Sequence, residues 1–176
     1  MIFWHAGLTM LIIWFVMRGN TRVDYRIVAV ASLLPDIVDK PIGRLFLNSR
    51  FESGHLFGHT LLVNVAFFSV LFFMRGRAKR TFTLVPISSL LHLALDGMWS
   101  NPKVFWWPFF GASFPREPVA GGRLGFLTPE PIVLVQEAIG IAVIVWLLAS
   151  HGLLNREGVR AFLRTGHLGT PTEAHR

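Results

Sequence analysis

Residues 54–60, Gly-His-Leu-Phe-Gly-His-Thr, open an apolar run that extends to Met74. His55 and His59 are four residues apart, so a helix that contains both would place their imidazoles on one face, one turn apart. Two imidazoles on one helix face, at the mouth of a hydrophobic segment, form half of a metal site. The alternative interpretation is a pair of unrelated histidines at a membrane interface, and the rest of the chain weighs against it.

The composition of the chain is that of a membrane protein. Of 176 residues, 52% are hydrophobic and 15% are charged, and the mean hydropathy is +0.51, whereas soluble domains carry about 25% charged residues. The net charge of +7 comes from basic residues between apolar runs and near the C-terminal end, which is typical of membrane topology signals and argues against nucleic-acid binding. The sequence contains no Cys, which excludes disulfides, thiolate ligands and a cysteine nucleophile.

Five apolar segments predict an all-α integral membrane protein, a bundle of about five transmembrane helices. The first segment lacks the basic start and small-residue end of a secretory signal peptide, so we interpret it as an uncleaved helix. The second is expected to be short or broken, because Pro35 should kink or end a helix at Leu34. We expect residues 1–150 to form one transmembrane domain that carries the metal site, and residues 151–176 to form a basic cytoplasmic tail. The predicted spans are residues 1–17, 25–39, 55–74, 82–99 and 131–149.

The densest basic cluster, residues 75–80, sets the expected orientation, because basic residues concentrate on the cytoplasmic side. With this cluster inside, alternation of the spans puts eleven Lys and Arg residues inside and six outside. The N-terminus is then outside and the C-terminus inside. Although the assignment uses no histidine or carboxylate, it brings ionisable residues of all five spans to the outer side. We therefore expect one shared site that faces the periplasm or the outer leaflet.

The candidate ligands offer nitrogen and oxygen donors, a set that suits zinc, with manganese or iron as alternatives. They are more numerous than a single tetrahedral zinc uses, so we expect one to three ions, or one ion with a general base and orienting partners. A metal held by three protein ligands activates a bound water, and Asp39 or Glu137 is a candidate for accepting the proton. The candidate metal ligands are His5, Asp36, Asp39, His55, His59, His92 and Asp96.

Four motifs that contain these residues follow one another along the chain. They are His5 near the start of the first helix, Ser-Leu-Leu-Pro-Asp-Ile-Val-Asp (32–39), the paired His55 and His59 followed by Thr60, and His-Leu-Ala-Leu-Asp-Gly (92–97) leading to Trp-Pro-Phe (107–109). In this order they resemble the bacterial inner-membrane proteins called membrane-bound metal-dependent hydrolases, of the YdjM and YbcI type. The resemblance covers roughly residues 1–110. It implies a multi-span protein of the bacterial inner membrane and metal-site roles for the seven candidate ligands.

The histidine pair departs from the pattern of many members of that family. Those members carry Arg directly after the first histidine and a hydroxyl residue before the second, where this chain has Leu56 and Gly58. A weaker similarity, in ligand arrangement alone, is to the soluble zinc phospholipase C and P1 nuclease class, which points to phosphoester hydrolysis.

These observations predict a membrane-bound hydrolase that uses a metal-activated water at the outer membrane face. The expected substrate is a phosphoester or another lipid-like amphiphile. The expected partners are this substrate and the membrane lipids around the protein. One alternative is a transporter or an ion- and proton-handling protein that uses the same cluster. Another is a non-catalytic protein whose metal only clips helices together, in which case the site would be closed by four ligands.

Overall fold

The computed structural model describes residues 1–17, 23–47, 51–117 and 130–169. Every regular element in these ranges is helical, which confirms the all-α class. Five of the basic residues on which the predicted orientation depends lie outside the described ranges. They are Arg18, Arg22, Arg50, Arg123 and Arg176.

The described part of the chain forms eight α-helices joined by short turns. Three turns have regular non-α geometry: a π-helical turn at Pro41–Phe46 and 3-10 turns at Phe57–His59 and Met98–Ser100. The α-helices are α1 (Ile2–Val16), α2 (Tyr25–Ala31), α3 (Leu34–Lys40), α4 (Leu61–Val70), α5 (Gly76–Leu95), α6 (Pro102–Phe105), α7 (Pro131–Ser150) and α8 (Arg156–Thr165).

Among the described helices, α7 is the one that is long and apolar enough to cross a membrane by itself. Its 20 residues span about 30 Å, the thickness of the hydrocarbon core. Helices α1 and α4 are apolar but shorter, with 15 and 10 residues. Helix α5 has 20 residues, but its first turn and a half are basic. By length and composition, α7 is thus the one candidate span among the described helices.

The second predicted span is broken, as its sequence indicates. Helix α2 ends at Ala31 and α3 begins at Leu34, so the interruption lies at Ser32 and Leu33. Pro35 does not end a helix but lies in the first turn of α3. Proline is tolerated there, because the amide that it lacks would have no partner inside the helix.

The prediction that a helix begins at His55 is wrong. Helix α4 begins at Leu61, after a 3-10 turn, and Thr60 caps it by accepting a hydrogen bond from the Val63 amide. The physical reason is a competing acceptor, since Asp39 on α3 binds the backbone amides of this segment and holds it out of helical geometry. His55 and His59 therefore do not share a helix face.

Helices α1 and α7 pack closely through two glycines. A Cβ atom at Gly7 would lie 2.5 Å from the carbonyl oxygen of Gly140, and one at Gly140 would lie 2.2 Å from the backbone of Phe3. Such close approach of two helices is the usual role of small residues in membrane proteins. Below this contact, apolar side chains of α1, α2, α7 and the C-terminal segment share one core. Its buried members are Met10, Ile13, Val23, Tyr25, Val28, Leu147, Leu153 and Leu168.

The segment after α7 packs against the start of α2. The Gly166 carbonyl accepts a hydrogen bond of 2.7 Å from the Tyr25 amide, and Arg26 Nη1 donates to the Leu163 carbonyl at 2.6 Å. Leu153 and Leu168 are buried in the core. Residues 151–169 are thus attached to the helical body, while residues 170–176 lie outside the described ranges.

Candidate metal centre

Four separate segments bring their polar side chains to one place at the end of the helical bundle. Helix α1 contributes His5, α3 contributes Asp36 and Asp39, the 3-10 turn before α4 contributes His59, and the end of α5 contributes His92 and Asp96. The three histidines are buried and Asp39 has no exposed surface. Buried ionisable groups are costly unless they are paired or bound to a metal, so this cluster requires an explanation.

Each buried histidine has its Nδ1 atom fixed by an acceptor. His5 Nδ1 lies 2.5 Å from the Met1 carbonyl oxygen, and His92 Nδ1 lies 2.6 Å from the Ser32 carbonyl oxygen. His59 Nδ1 lies 2.7 Å from Asp39 Oδ2. These bonds require the proton on Nδ1 and leave Nε2 as the free nitrogen, which is the arrangement of histidines that bind a metal through Nε2.

The three Nε2 atoms converge on the carboxylate of Asp96. His5 Nε2 lies 2.9 Å from Asp96 Oδ1, and His92 Nε2 lies 3.1 Å from Asp96 Oδ2. His59 Nε2 lies 3.6 Å from Asp96 Oδ2 and 3.2 Å from His92 Nε2. The imidazoles of His5 and His92 are stacked, with ring centroids 4.0 Å apart.

This geometry places hydrogen-bond acceptors, each with a lone pair, against one another. With the protons on Nδ1, the Nε2 atoms of His59 and His92 both present lone pairs, and Asp96 adds two carboxylate oxygens. Acceptors at these distances repel unless a cation lies among them. Protons or a metal ion would supply that charge, and the nitrogen–oxygen donor set fits zinc.

Asp36 lies at the edge of the cluster. Its Oδ1 atom is 3.6 Å from His59 Nε2 and 3.9 Å from His92 Nε2, while Oδ2 is bound to the ammonium group of Lys40. Three overlapping groups in the described part of the chain have ligand atoms within 4.8 Å of one another. They are His5, His92 and Asp96; Asp36, His59 and His92; and His55, His59 and Asp96.

Asp39 lies beside the cluster and belongs to none of these groups. Its oxygens accept hydrogen bonds from the backbone amides of Leu56, Gly58 and His59, at 2.7, 2.8 and 3.1 Å. Oδ2 also accepts from His59 Nδ1. Gly58 permits this approach, because a Cβ atom there would lie 3.0 Å from the backbone of Pro35.

His55 lies at the solvent-facing side of the cluster. Its ring meets that of His59 edge to face at 4.6 Å, and its Nδ1 lies 2.9 Å from Glu117 Oε2. Partial burial raises the pKa of the Glu117 carboxyl, but the hydrogen bonds from His55 and Ser53 outweigh burial and lower it below its usual value. Glu117 is therefore a carboxylate at neutral pH.

Glu137 lies apart from the three ligand groups. Its Oε2 atom accepts a hydrogen bond of 2.7 Å from the Phe3 amide, in the first turn of α1. Amides in the first turn of a helix have no partner within the helix, and a carboxylate is a favourable acceptor for them. The carboxylate joins α7 to the helix that carries His5.

Two basic side chains and a group of aromatic residues lie on the segments next to the ligands. Lys40 is 42% exposed and binds Asp36, while the Arg44 guanidinium packs so closely on Gly54 that a Cβ atom there would lie 2.9 Å from it. Phe57 contacts both Trp107 and Phe114, at ring-centroid distances of 5.3 and 4.8 Å. The exposed side chains of Trp106, Phe109 and Phe110 follow along the same segment.

Sequence reasoning missed several partners of the histidines. Glu117 lies in the long connection after α5, 62 residues from His55, with no periodic pattern that would reveal it. The acceptors at Met1 and Ser32 are backbone carbonyls, which every residue has, so the residue type does not reveal them. The ion pair of Lys40 with Asp36 could have been found from its i, i+4 spacing.

Comparisons with known proteins identify the family. A family model described as "YdjM inner membrane protein" matches residues 1–159 of the 176-residue chain. Searches of curated proteins and of solved structures find no match. The model covers all four sequence motifs and every candidate ligand, so the resemblance drawn from those motifs is confirmed at the level of the family. The chain belongs to the YdjM inner membrane protein family.

Proposed function

We propose that this protein is a membrane-bound metal-dependent hydrolase. The observation that supports it best is the arrangement of the three buried histidines, whose Nδ1 atoms are fixed and whose Nε2 atoms converge on Asp96. Carboxylates and carbonyls that orient metal-bound histidines in this way are a general property of metalloenzyme sites. A solvated cluster of histidines would not need this orientation.

The residues that would hold the metal are the three buried histidines with Asp96 and Asp36. Zinc fits this donor set best, and manganese or iron fits it as well. A divalent ion bound there supplies a Lewis acid and lowers the pKa of a coordinated water. The chain keeps one side of the cluster accessible, since Lys40 and His55 are partly exposed, which favours a catalytic over a closed structural site.

The roles that we propose for the two candidate bases differ from the sequence-based expectation. Asp39 accepts four hydrogen bonds, three from backbone amides and one from His59. We assign it to the orientation of His59 rather than to metal ligation or proton transfer. Glu137 is bound to the Phe3 amide, and we assign it to the positioning of α1, which carries His5.

We propose an anionic amphiphile, a phosphoester of a lipid or a related molecule, as the substrate. Lys40 and Arg44 lie on the helix and turn that border the ligands, and positive charge at this place favours a phosphate group. The exposed aromatic residues of 106–110 suit the interfacial region of a membrane. A substrate with a charged head and an apolar body matches both features.

For the membrane arrangement, we propose about five spans with the N-terminus outside and the metal centre facing the periplasm. The positive-inside distribution supports this orientation, and α1, the broken segment of α2 and α3, α4 and α5 would cross or enter the bilayer together with α7. In this arrangement residues 151–176 are cytoplasmic.

The test is metal analysis of the full chain purified in detergent, for wild type, His59→Ala and His92→Ala. His151→Ala serves as the matched control, because that histidine bonds to Trp14 and to the Leu147 carbonyl, away from the centre. We expect one to three zinc, manganese or iron ions per chain, lost from the first two variants and retained in the control. Wild-type protein without metal after supplementation would contradict the proposal.

A second measurement separates hydrolysis from the alternatives. Metal-loaded protein is assayed with phosphomonoester, phosphodiester and phospholipid substrates, and in parallel for proton or metal flux in sealed vesicles. Hydrolysis that disappears with the metal supports the proposal. Flux without hydrolysis would favour the transporter. If the protein shows neither activity and its metal is closed off by four protein ligands, a structural metal would be favoured.

A further inference from the structure

The described connection after α5 carries a carboxylate, Glu117, that contacts the metal centre through His55. Glu117 Oε2 accepts from the His55 ring at 2.9 Å and from the Ser53 hydroxyl at 3.0 Å, and Oε1 lies 3.4 Å from Asn101 Nδ2. Its backbone amide donates to the Glu52 carbonyl at 2.8 Å. Both the side chain and the backbone of Glu117 are therefore fixed against the segment that precedes His55.

His55 is held at two points by the same small group of residues. Its backbone amide donates to Ser53 Oγ at 3.1 Å, and its ring binds Glu117. These two contacts fix the main chain and the ring plane together. The remaining ring nitrogen, Nε2, has no hydrogen-bond partner among the described residues and can bind another atom.

The pairing of His55 with Glu117 repeats the arrangement of the buried histidines. Nδ1 of His59 is bound by the Asp39 carboxylate, and Nδ1 of His55 is bound by the Glu117 carboxylate. Ligand atoms of His55, His59 and Asp96 lie within 4.8 Å of one another. The His55 ring therefore has a fixed orientation next to two of the proposed ligands.

The two arrangements differ in their exposure to solvent. The side chain of His59 is fully buried, whereas 31% of the His55 side chain and 27% of the Glu117 side chain are exposed. His55 thus lies where the centre meets the solvent, at the side from which a substrate would arrive.

We infer that Glu117 is a positioning residue that holds His55 as the outermost ligand of the metal centre. This inference rests on the proposed metal-dependent function and extends it to a part of the chain beyond the four ligand motifs. The connection between α5 and α7 then completes the centre as well as joining two helices.

The inference is tested by zinc affinity, measured by chelator competition on the full chain in detergent. A carboxylate that orients a metal-bound histidine typically raises the metal affinity 10- to 100-fold. We therefore expect Glu117→Ala to lose zinc affinity by this factor at the weakest-bound ion. Glu117→Met keeps the length of the side chain without an acceptor and should show the same loss. Glu117→Gln should lose only a few-fold, because its amide oxygen accepts from Nδ1 as the Met1 and Ser32 carbonyls do.

A double variant distinguishes positioning from a general structural role. If Glu117 acts through His55, the His55→Ala/Glu117→Ala protein binds zinc no more weakly than His55→Ala alone. The melting temperature in excess chelator, compared with that of the exposed control Glu157→Ala, reports any metal-independent effect on the fold. Cobalt-substituted protein gives a visible spectrum that should change in Glu117→Ala and not in the control.

Three results would overturn the inference. Wild-type zinc affinity in both Glu117→Ala and Glu117→Met, with metal loss in His92→Ala, would refute it and leave the proposed function standing. Additive losses in the double variant would show that Glu117 acts independently of His55. Absence of metal from the wild type would refute both proposals together.

Discussion

The Nε2 atoms of His59 and His92 lie 3.2 Å apart, on rings whose Nδ1 atoms are already bound to Asp39 and to the Ser32 carbonyl. Neither ring can turn its lone pair away without breaking a buried hydrogen bond. Asp39 has a double role, because it fixes both the ring of His59 and the backbone that carries this ring.

Asp39→Asn should weaken metal binding and lower stability, although it removes none of the proposed ligands. The amide nitrogen of Asn cannot accept a hydrogen bond. If it takes the place of Oδ1, the Gly58 amide loses its acceptor, and if it takes the place of Oδ2, the amides of Leu56 and His59 lose theirs. Each buried donor left unsatisfied costs about 1–3 kcal/mol. Thermal denaturation in detergent and zinc competition measure the two effects. Unchanged stability would contradict the role assigned to Asp39.

Gly140→Ala should push α1 away from α7 and thereby displace His5. The added Cβ would lie 2.2 Å from the carbonyl group of Phe3, which is backbone and cannot rotate aside. Overpacking of this kind costs about 1–3 kcal/mol, and zinc affinity should fall with it. Gly169→Ala, where no atom lies within 4 Å of the new Cβ, is the matched control and should behave as wild type.

Asp24→Asn should destabilise the protein at neutral pH but not at low pH. Partial burial raises the pKa of Asp24, but hydrogen bonds from Arg26 and its charge lower it below the ordinary value of 3.8. A lowered pKa in the folded state stabilises the protein above pH 3.8, and this contribution is lost as the pH falls through the folded-state pKa. Asn keeps the cap of α2 and removes the charge. Melting temperatures of both proteins across this range should converge on acidification.

Lys40→Gln should reduce activity towards phosphoesters more than it reduces metal content. Lys40 is partly exposed and neutralises Asp36 from the solvent side, so its removal takes away positive charge beside the cluster and leaves the histidines in place. We expect a higher KM for anionic substrates, and a smaller change for neutral esters. Lys103→Gln, on α6, controls for the general loss of one positive charge. Equal effects on both substrate classes would count against an anionic substrate.

The sequence allowed the family to be predicted, and six of the seven candidate ligands, all except Asp39, lie together in the described structure. These residues could be identified because each belongs to a local motif. His92 and Asp96 illustrate this, since their i, i+4 spacing at the end of a helix is visible without any tertiary structure and the structure brings them to 3.1 Å. The membrane class was equally accessible, because composition and hydropathy are properties of the whole chain.

The backbone around His59 could not be predicted in the same way. Local spacing indicated a helix from His55, but the structure has a 3-10 turn there because Asp39, 20 residues earlier, binds the amides of the turn. Tertiary hydrogen bonds override local propensity at such places. Glu117 was missed for a related reason, since its only signal is a contact across 62 residues.

The four hydrogen bonds of Asp39 have a mechanical consequence. His59 precedes α4 in the chain, yet its amide and its ring are anchored to α3. In the membrane arrangement proposed above, a change in bilayer thickness that shifts α4 is expected to bend the chain at Thr60, where the backbone is extended, while the imidazole stays anchored to α3. His59 is thereby tied to α3 and not to the helix that follows it in the chain.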